Sequence, residues 1–541
     1  MKEMIRILIV VFCVLVPFFP GCSENSTLNE KRNDTAVSPG PSGTYHAPLL
    51  HDPVTLDPAL VHDEYGVTVV HQLFDGLVRF GPDLMILPAL AESWTVREQG
   101  RVYTFNLRRD ACFHDGSPVT AGDVVFSFSR LIRTGAHSEI LPYLLMIEGA
   151  EEYRSGERKA VSGLIELNDH SLMITLTEPF IPFLTSLGMY LAKIVPRHAV
   201  EQLGIRFGTH PVGSGPFRFV SWSRNDSINL ERFERYHAGP ALLKGIRYHI
   251  YPGGDLEHAL SDFEQGKLQE LPLSGGIQRE LPRNITLIQR PSLRLLFYGM
   301  RVDTPPLDDP LFRRAVALAI NKEAIVEEVY RDRFDPAGRI LPPGMPGNLP
   351  PESPLTGDLE EAKKIMEQIR GDQKKSIELE IVSASRSSAA QSELRMVKNA
   401  LADLGIELKV TFIEDWNVFE EYLSSDRVQM FRYMWAADMP DPDNFFFPLF
   451  HTGSTVNYTR YSNPEIDLLL SKARRTPDPI HRTELYHLVE EIISQDTPCI
   501  PLFYLSVNRA YAPSVKDMEV SALGPVTSPL HSIRLTENGM E

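Results

Sequence analysis

Five short phrases stand in order between Thr55 and Arg130: Thr55-Leu56-Asp57-Pro58, Leu73-Phe74-Asp75-Gly76-Leu77, Pro88-Ala89-Leu90-Ala91-Glu92-Ser93-Trp94, Tyr103-Thr104-Phe105-Asn106-Leu107-Arg108 and Phe113-His114-Asp115-Gly116. In the fourth phrase, apolar Tyr103, Phe105 and Leu107 alternate with polar residues, as in a half-buried β-strand. Leu172, Ile174 and Leu176 show the same alternation. The sequence therefore predicts a strand at both places.

Helical periodicity occurs in three later segments, and each of them follows a helix-start signal. The apolar positions lie within residues 312–319, 359–369 and 485–492, and the start signals are Asp309-Pro310, Asp358 and Asp478-Pro479. We interpret the apolar stripes as core faces. Strand and helix signals together predict an α/β protein and leave its topology open.

The phrases continue along the chain in Pro211-Val212-Gly213-Ser214-Gly215-Pro216-Phe217, Phe312-Arg313-Arg314-Ala315-Val316, Trp435-Ala436-Ala437-Asp438 and Pro501-Leu502-Phe503. The ordered set resembles the peptide- and nickel-type solute-binding proteins of bacterial ABC importers, the extracellular solute-binding family 5. The resemblance covers nearly all of the mature chain. It implies a protein that captures a small solute outside the membrane and delivers it to a permease.

A chain of 541 residues exceeds what one hydrophobic core usually supports, so two or three domains are expected. The resemblance implies a type II periplasmic-binding-protein fold, in which two α/β lobes are joined by a hinge, the ligand lies between them, and one lobe carries an extra subdomain. The predicted segments are 45–61, 212–290 and 503–541 for lobe I, 62–211 for the extra subdomain, and 291–502 for lobe II. This layout makes three domains.

The N-terminus has the pattern of a signal peptide, which we predict over residues 1–21. Lys2 and Arg6 precede an apolar run from Ile7 to Phe19 that is short for a membrane span. The small residue before Cys22 is typical of a lipobox, where the thiol is lipidated, although the two residues before it depart from the usual Leu-Ala pair. Plain secretory cleavage nearby is the alternative.

Residues 22–44 are rich in Ser, Asn, Thr, Pro and Gly, and they contain almost no large apolar side chain. Such a segment cannot bury enough surface to offset the entropy of ordering it. We therefore predict a flexible, lipid-anchored tether in the cell envelope, either in the periplasm or on the outer face of the cell membrane.

Charge and motifs exclude several function classes. The net charge of −17 argues against nucleic acid or an anionic membrane surface as a partner, because both select Lys/Arg-rich patches. The motifs H-E-x-x-H, G-x-x-x-x-G-K-[ST] and G-x-S-x-G do not occur, so we predict no enzyme and no cofactor. There is no C-x-x-C or Cys/His cluster for a metal. Cys112 and Cys499 are interpreted as free core thiols, with a disulfide between them as the alternative.

Ligand recognition is predicted in the aromatic run that begins at Phe431. The resemblance implies that Asp438, in the Trp-x-x-Asp phrase, receives the α-ammonium of a peptide, and a carboxylate in a closed cleft does need a cation. The alternative is a turn Asp that bonds its own backbone. Trp435 either stacks on a ligand side chain or fills the core.

Arg432 lies inside an apolar strand pattern, where an unpaired guanidinium is costly. In some oligopeptide-binding relatives that the chain resembles, an Arg at this offset pairs with the peptide carboxylate, and an internal salt bridge is the other interpretation. Asp441 before Pro442 has the pattern of a helix N-cap, with Asp443 in the first turn. His451 lies in the half of the chain where nickel-binding relatives recruit a His, and a surface or core role is the alternative.

The phrase around Ser214 is Gly-rich, but Arg218 stands where a third Gly would be, and Pro216 removes an amide donor. We therefore interpret it as a tight turn at a lobe crossing. Ser214 and Gly215, next to the predicted cleft, are also predicted to bind the ligand.

The sequence thus predicts a monomeric binding lipoprotein that hands a di- or oligopeptide to an ABC permease of the inner membrane. The same scaffold could bind a nickel chelate, haem or a sugar instead. A ligand sensor or a hydrolase built on this fold is the alternative from a different class, and fold alone does not exclude the sensor.

Overall fold

The computed structural model describes residues 43–134, 139–273, 284–349, 357–370, 377–524 and 530–536. The predicted signal peptide, Cys22 and nearly all of the predicted tether lie outside these residues. Among the helices in these ranges, none is both long enough and apolar enough to span a membrane.

Strands and helices are mixed along the chain. The strands are β1 (Thr44–Leu49), β2 (Val78–Phe80), β3 (Ile86–Pro88), β4 (Ala91–Arg97), β5 (Val102–Leu107), β6 (Leu164–Asn168), β7 (Ser171–Thr175), β8 (Phe217–Ser223), β9 (Ser227–Arg232), β10 (Gly245–Ile250), β11 (Glu270–Pro272), β12 (Thr286–Met300), β13 (Asp335–Pro336), β14 (Ile377–Ser383), β15 (Ile406–Phe412), β16 (Met430–Ala436), β17 (Cys499–Tyr511), β18 (Val515–Lys516) and β19 (Arg534–Leu535).

The helices are α1 (Glu64–Leu73), α2 (Ala121–Thr134), α3 (Leu141–Leu144), α4 (Ala150–Ser155), α5 (Pro182–Ser186), α6 (Arg197–Leu203), α7 (Leu256–Glu264), α8 (Pro310–Ala319), α9 (Lys322–Tyr330), α10 (Leu359–Arg370), α11 (Ser388–Ala402), α12 (Trp416–Ser424), α13 (Asp443–Phe450), α14 (Pro464–Arg475) and α15 (Pro479–Asp496). Two short 3₁₀ helices lie at Gly204–Gly208 and Pro252–Gly254.

Three sheets carry most of the strands. The first has the order β1-β10-β9-β8, with β1 parallel to β10, and the second is an antiparallel sheet of order β4-β5-β7-β6. The largest has seven strands in the order β11-β17-β12-β16-β14-β15, with β13 beside β17. Two further pairs are β2 with β3 and β18 with β19. The mixed strand directions and the helices between them confirm the predicted α/β class.

The largest sheet separates two hydrophobic cores. Along β12, Leu295 and Phe297 belong to one core, whereas Leu296, Tyr298 and Met300 belong to the other. Successive side chains of a strand point to opposite faces of its sheet, so this assignment follows from the period of two. Because both faces are covered, β12 is buried through its C-terminal half and reads as a nearly continuous apolar run.

The two longest strands of this sheet contain the predicted lobe crossings. Strand β12 pairs with β17 along most of its length, and the register shifts between Pro291 and Leu295. The predicted boundaries at 290–291 and 502–503 fall inside β12 and β17. The domain boundaries themselves stay a prediction, but at these points the chain runs as hydrogen-bonded strands and not as loops.

The structure confirms the local elements that periodicity predicted. The alternating segments form β5 and β7, and the three helical segments form α8, α10 and α15. Asp309 and Asp478 each cap their helix by accepting a backbone N–H, and Asp358 accepts one from Glu361. Cys112 and Cys499 are both buried and free, as predicted.

We predict that Gly299→Ala destabilises the fold. A Cβ at Gly299 would lie 2.0 Å from the ring of Phe431, its partner across the β12–β16 pair. Phe431 is 1% exposed, so its ring cannot move aside. Overpacking of this kind costs about 1–3 kcal/mol, and the thermal unfolding midpoint should fall when it is followed by circular dichroism.

The matched control is Gly122→Ala in α2, where the new Cβ would meet its nearest atom at 3.4 Å, an ordinary contact. This variant should keep the wild-type midpoint or raise it slightly, because Ala favours the helix. Equal midpoints for the two variants would show that β12 and β16 can shift enough at Gly299 to accommodate the added methyl group without loss of stability.

Candidate functional site

A cavity of about 250 Å³ opens beside the end of β16. Asp438 contributes to its wall from the loop after β16. The rest of the wall comes from the region of α1 and the loop that follows it, from residues 188–193, from residues 216–238 and from the C-terminal residues 519–532. The volume lies near the lower end of the range of about 300–1,000 Å³ that is typical of small-molecule sites. Segments distant in sequence thus converge on one space of a size suited to a small ligand.

The carboxyl group of Asp438 is the electrostatically unusual group of this wall. Burial, together with the nearby carboxylate of Glu139, raises its pKa to about 7, and the hydrogen bond of Asn444 and the charge of Arg294 only partly oppose these effects. A cation placed in the cavity beside Asp438 would stabilise the ionised form and reverse the shift. The site therefore favours a positively charged group.

Asn444 holds the loop that presents Asp438. Its side-chain oxygen accepts the backbone N–H of Asp438 at 3.0 Å, and its backbone carbonyl accepts the indole N–H of Trp435 at 2.7 Å. Asn444 is itself 3% exposed and contacts Tyr143 through a hydrogen bond of 3.3 Å. Trp435 is half-buried, packs against the core and is not part of the cavity wall. Its position corresponds to the core interpretation, and its indole N–H supports the loop.

Two buried ion pairs brace the same turn. The carboxylate of Asp441 accepts two hydrogen bonds from Arg482, and that of Asp443 accepts two from Arg474, at 2.7–2.9 Å. Asp441 also accepts the N–H of Asp443, which is the capping role predicted for it, although helix α13 begins at Asp443, one residue later than predicted. The acidic cluster after Asp438 is therefore structural, because every one of its carboxylates already has a cationic partner.

For Arg432 the sequence left two interpretations open, a contact with the ligand and an internal salt bridge. Its guanidinium forms two hydrogen bonds with Glu393, at 2.8 and 3.1 Å, and Glu393 is completely buried and also accepts a hydrogen bond from Tyr298. Burial acts to lower the pKa of Arg432, but the charge of Glu393 outweighs burial and raises it. The internal salt bridge is thus the interpretation that the geometry supports, and Arg432 is not part of the cavity wall.

Ser214 and Gly215 also lie outside the cavity wall, where ligand contact was predicted. Ser214 is 1% exposed, and its hydroxyl accepts the backbone N–H of Asp75. A Cβ at Gly215 would lie 2.6 Å from the carbonyl oxygen of Gln72, so the turn is pressed against the end of α1. The neighbouring His114 accepts the N–H of Gly213 and donates to the carbonyl of Gly215. The geometry supports the tight-turn interpretation.

The cavity wall also carries a lysine that the sequence analysis missed. Lys193 is 6% exposed, and burial lowers the pKa of its ammonium group to about 8 while the charge of Asp75 acts in the opposite direction. The signal was present in the sequence, because Lys193 interrupts the apolar run Leu191–Val195. A cation in such a run needs an anionic partner, and the sequence alone named none.

The histidines do not form a metal centre within the described residues, where no group of three potential ligands occurs. His451 stacks on Phe447 with ring centroids 4.2 Å apart, and its Nδ1 accepts the N–H of Gly453. This is the structural role given as the alternative for His451.

Comparison with known proteins gives consistent matches. The model of the bacterial extracellular solute-binding proteins, family 5, matches residues 86–457. The dipeptide-binding protein of Escherichia coli K12 is 28% identical over 459 residues, which are 81% of this chain and 84% of that protein.

Solved structures agree over a longer part of the chain. The ABC transporter substrate-binding protein CtaP of Listeria monocytogenes superposes with a TM-score of 0.80 at 21% identity, covering 92% of this chain and 100% of its own. The periplasmic binding protein DppA of Helicobacter pylori, solved with the peptide STSA, gives 0.73 at 25% identity, covering 92% and 99%. The likeness confirms the predicted two-lobed type II fold.

We predict that stability depends on pH through Asp438. Its pKa in the folded protein lies above the ordinary 3.8, so between about pH 4 and pH 7 the folded state holds a proton that the unfolded state has lost. Ionisation in the folded state therefore costs stability as the pH rises through this window. At pH 8 the free energy of unfolding of Asp438→Asn should exceed that of the wild type by on the order of 1–4 kcal/mol, so the variant should unfold at a higher temperature. Near pH 4 the two proteins should unfold at the same temperature.

The measurement is a series of unfolding midpoints of both ligand-free proteins across this range. Other titrating groups are common to the two proteins and cancel in the difference. Parallel curves would mean that Asp438 is solvated and carries an ordinary pKa.

Proposed function

The chain belongs to the bacterial extracellular solute-binding proteins of family 5, which are transport proteins and not enzymes, and on this premise we propose that it captures a short peptide for an ABC permease. In this proposal the peptide is bound between the lobes and released unchanged. The relatives whose names state a ligand bind dipeptides or glutathione, and the H. pylori structure holds a peptide. The ligand class is proposed for this chain on that basis and on its own chemistry.

One observation carries the proposal: the half-buried carboxyl group of Asp438 faces a small cavity at the end of a strand, and its environment penalises the ionised form. A peptide α-ammonium would supply the missing positive charge and up to three hydrogen-bond donors. Asn444 and the two neighbouring ion pairs hold the loop in place, so binding requires little further ordering of the loop and loses little entropy.

The strand before Asp438 provides a second feature that suits a peptide. Strand β16 pairs with β12 along residues 430–436, but its pairing with β14 ends at Arg432. The last residues of β16 thus have a described strand partner on one side only. An extended peptide adds to such an edge through main-chain hydrogen bonds, which makes binding tolerant of different side chains.

Localisation and anchoring complete the proposal. An extracellular binding protein must be exported and kept near its permease, and the N-terminal pattern with Cys22 supports a lipid anchor followed by the tether at 22–44. One lipid-modified N-terminus holds the protein at the membrane while leaving the lobes free to turn. We propose a monomer that acts in the periplasm or on the outer face of the cell membrane.

The first prediction concerns Asp438→Asn. Removing one member of a buried charge pair typically costs about 2–5 kcal/mol, so peptide affinity should fall by roughly 30-fold to several thousand-fold. Isothermal titration calorimetry should be run with a free dipeptide and with its N-acetylated form on both proteins. The acetylated form should bind the wild type weakly and lose little more in the variant, because the charge that Asp438 senses is already absent.

The control within this two-by-two set is the acetylated peptide. Equal losses for free and acetylated peptides would show that Asp438 only shapes the loop. If no peptide binds the wild type, the proposed ligand class is wrong.

A further prediction concerns Cys22→Ser. The thiol follows a signal-length apolar run, so the wild type should incorporate labelled fatty acid, whereas the variant should be released in soluble form or remain an unprocessed precursor. Cys112→Ser, which removes a buried thiol of the folded body, is the matched control and should label normally. Absence of label from the wild type would contradict the anchor.

A further inference from the structure

The cavity that contains Asp438 also contains a buried cation with an incomplete environment. Lys193 lines this cavity with only 6% of its surface exposed. Among the described residues, none accepts a hydrogen bond from its ammonium group, and Asp75 acts on it through its charge alone. An ammonium group has three donors, and leaving them unmet in a buried place is costly.

The described side-chain contacts of Asp75 are made with other groups and not with Lys193. Its carboxylate lies 2.8 Å from Nε2 of His237 and accepts a hydrogen bond from Tyr236 at 3.5 Å. Burial acts to raise the pKa of Asp75, but the hydrogen bond and charge of His237, together with the charge of Lys193, outweigh burial and lower it. The carboxylate of Asp75 is thus already engaged by His237 and Tyr236.

Three more basic side chains line the same cavity, namely Arg79, which is exposed, and His71 and His531, which are half-buried. Burial and the charge of Arg79 lower the pKa of His531. The carboxylates of the lining are Asp75, Asp438 and the exposed Glu519. The buried charges of the lining are therefore of two kinds, with Asp438 on one part of the wall and Lys193 on another.

We propose that Lys193, assisted by Arg79 and His531, forms a subsite for a carboxylate of the bound peptide. The inference rests on the proposed function and specifies its substrate class: the ligand presents an anion within the same cavity of about 250 Å³ that receives its α-ammonium. In so small a space the carboxylate belongs either to the side chain of the first residue or to the C-terminus of a dipeptide. Both sources offer the same chemistry to Lys193, which is a charge-assisted hydrogen bond.

The test compares three probes by calorimetry on the full chain: Glu-Ala, Gln-Ala and Gln-Ala amide. The first pair, Glu-Ala and Gln-Ala, reports the effect of the side-chain carboxylate. The second pair, Gln-Ala and Gln-Ala amide, reports the effect of the C-terminal carboxylate. The wild type should prefer the carboxylate form of at least one pair by about 10- to 150-fold, which is the range for a hydrogen bond to a charged group. Lys193→Met should reduce that preference to near one, and Arg79→Gln should reduce it less because Arg79 is exposed.

The matched control is Lys322→Met, which removes another buried lysine. Lys322 is 2% exposed, donates to the carbonyl of Ala337 at 2.7 Å and lies outside this cavity, so the preference should persist in this variant. If Lys193→Met does not fold, Lys193→Gln, which keeps a hydrogen-bond donor without the charge, serves in its place. A preference that survives removal of Lys193, or binding of all three probes with equal affinity, overturns the subsite. Failure of every probe to bind overturns the proposed function, and this inference with it.

Discussion

The pairing of β12 with β17 on one side and β16 on the other is the interaction on which the rest of the structure depends. Through this pairing, one strand separates two cores and joins segments almost two hundred residues apart in sequence. Its register is tightly specified, because a slip of one residue would exchange the side chains of the two cores. Because Gly299 has no side chain, the ring of Phe431 packs directly against the backbone of β12. This close contact sets the position of β16 along β12, and the end of β16 lies beside the cavity.

Charge pairing distinguishes scaffold from site. In the scaffold, Arg432 is paired with Glu393, Arg482 with Asp441, and Arg474 with Asp443, each through two hydrogen bonds. A buried pair of this kind adds little net stability, but removing one partner is strongly destabilising, so the pairs fix the geometry around them. Within the described part of the chain, Asp438 and Lys193 have no such ion-pair partner in contact, and both line the same cavity. Their unmet charges are a cost in the free protein that a zwitterionic ligand would relieve.

The predictions from sequence succeeded where one short segment decides the outcome. Periodicity located β5, α8 and α15, and the Asp-Pro pairs marked the helix starts, because hydrogen bonding within a few residues controls both. The sequence also favoured Asp438, which lies in the cavity wall, through its place at a strand end and through a family resemblance. It offered Arg432, Ser214 and Gly215 as candidate ligand contacts, and the structure gives each of them a hydrogen-bond partner distant in sequence.

The sequence by itself determined the α/β class, the family and the position of the strand that precedes Asp438, because these follow from local patterns and ordered motifs. Only the tertiary structure decided which charges are satisfied. Glu393 lies 39 residues before Arg432, and Asp75 lies far from Lys193 in sequence, yet the described contacts include an ion pair for the first two residues and none between the side chains of the second two. The cost of a buried charge depends on the partner that folding brings within a few ångströms, and no local pattern specifies that distance.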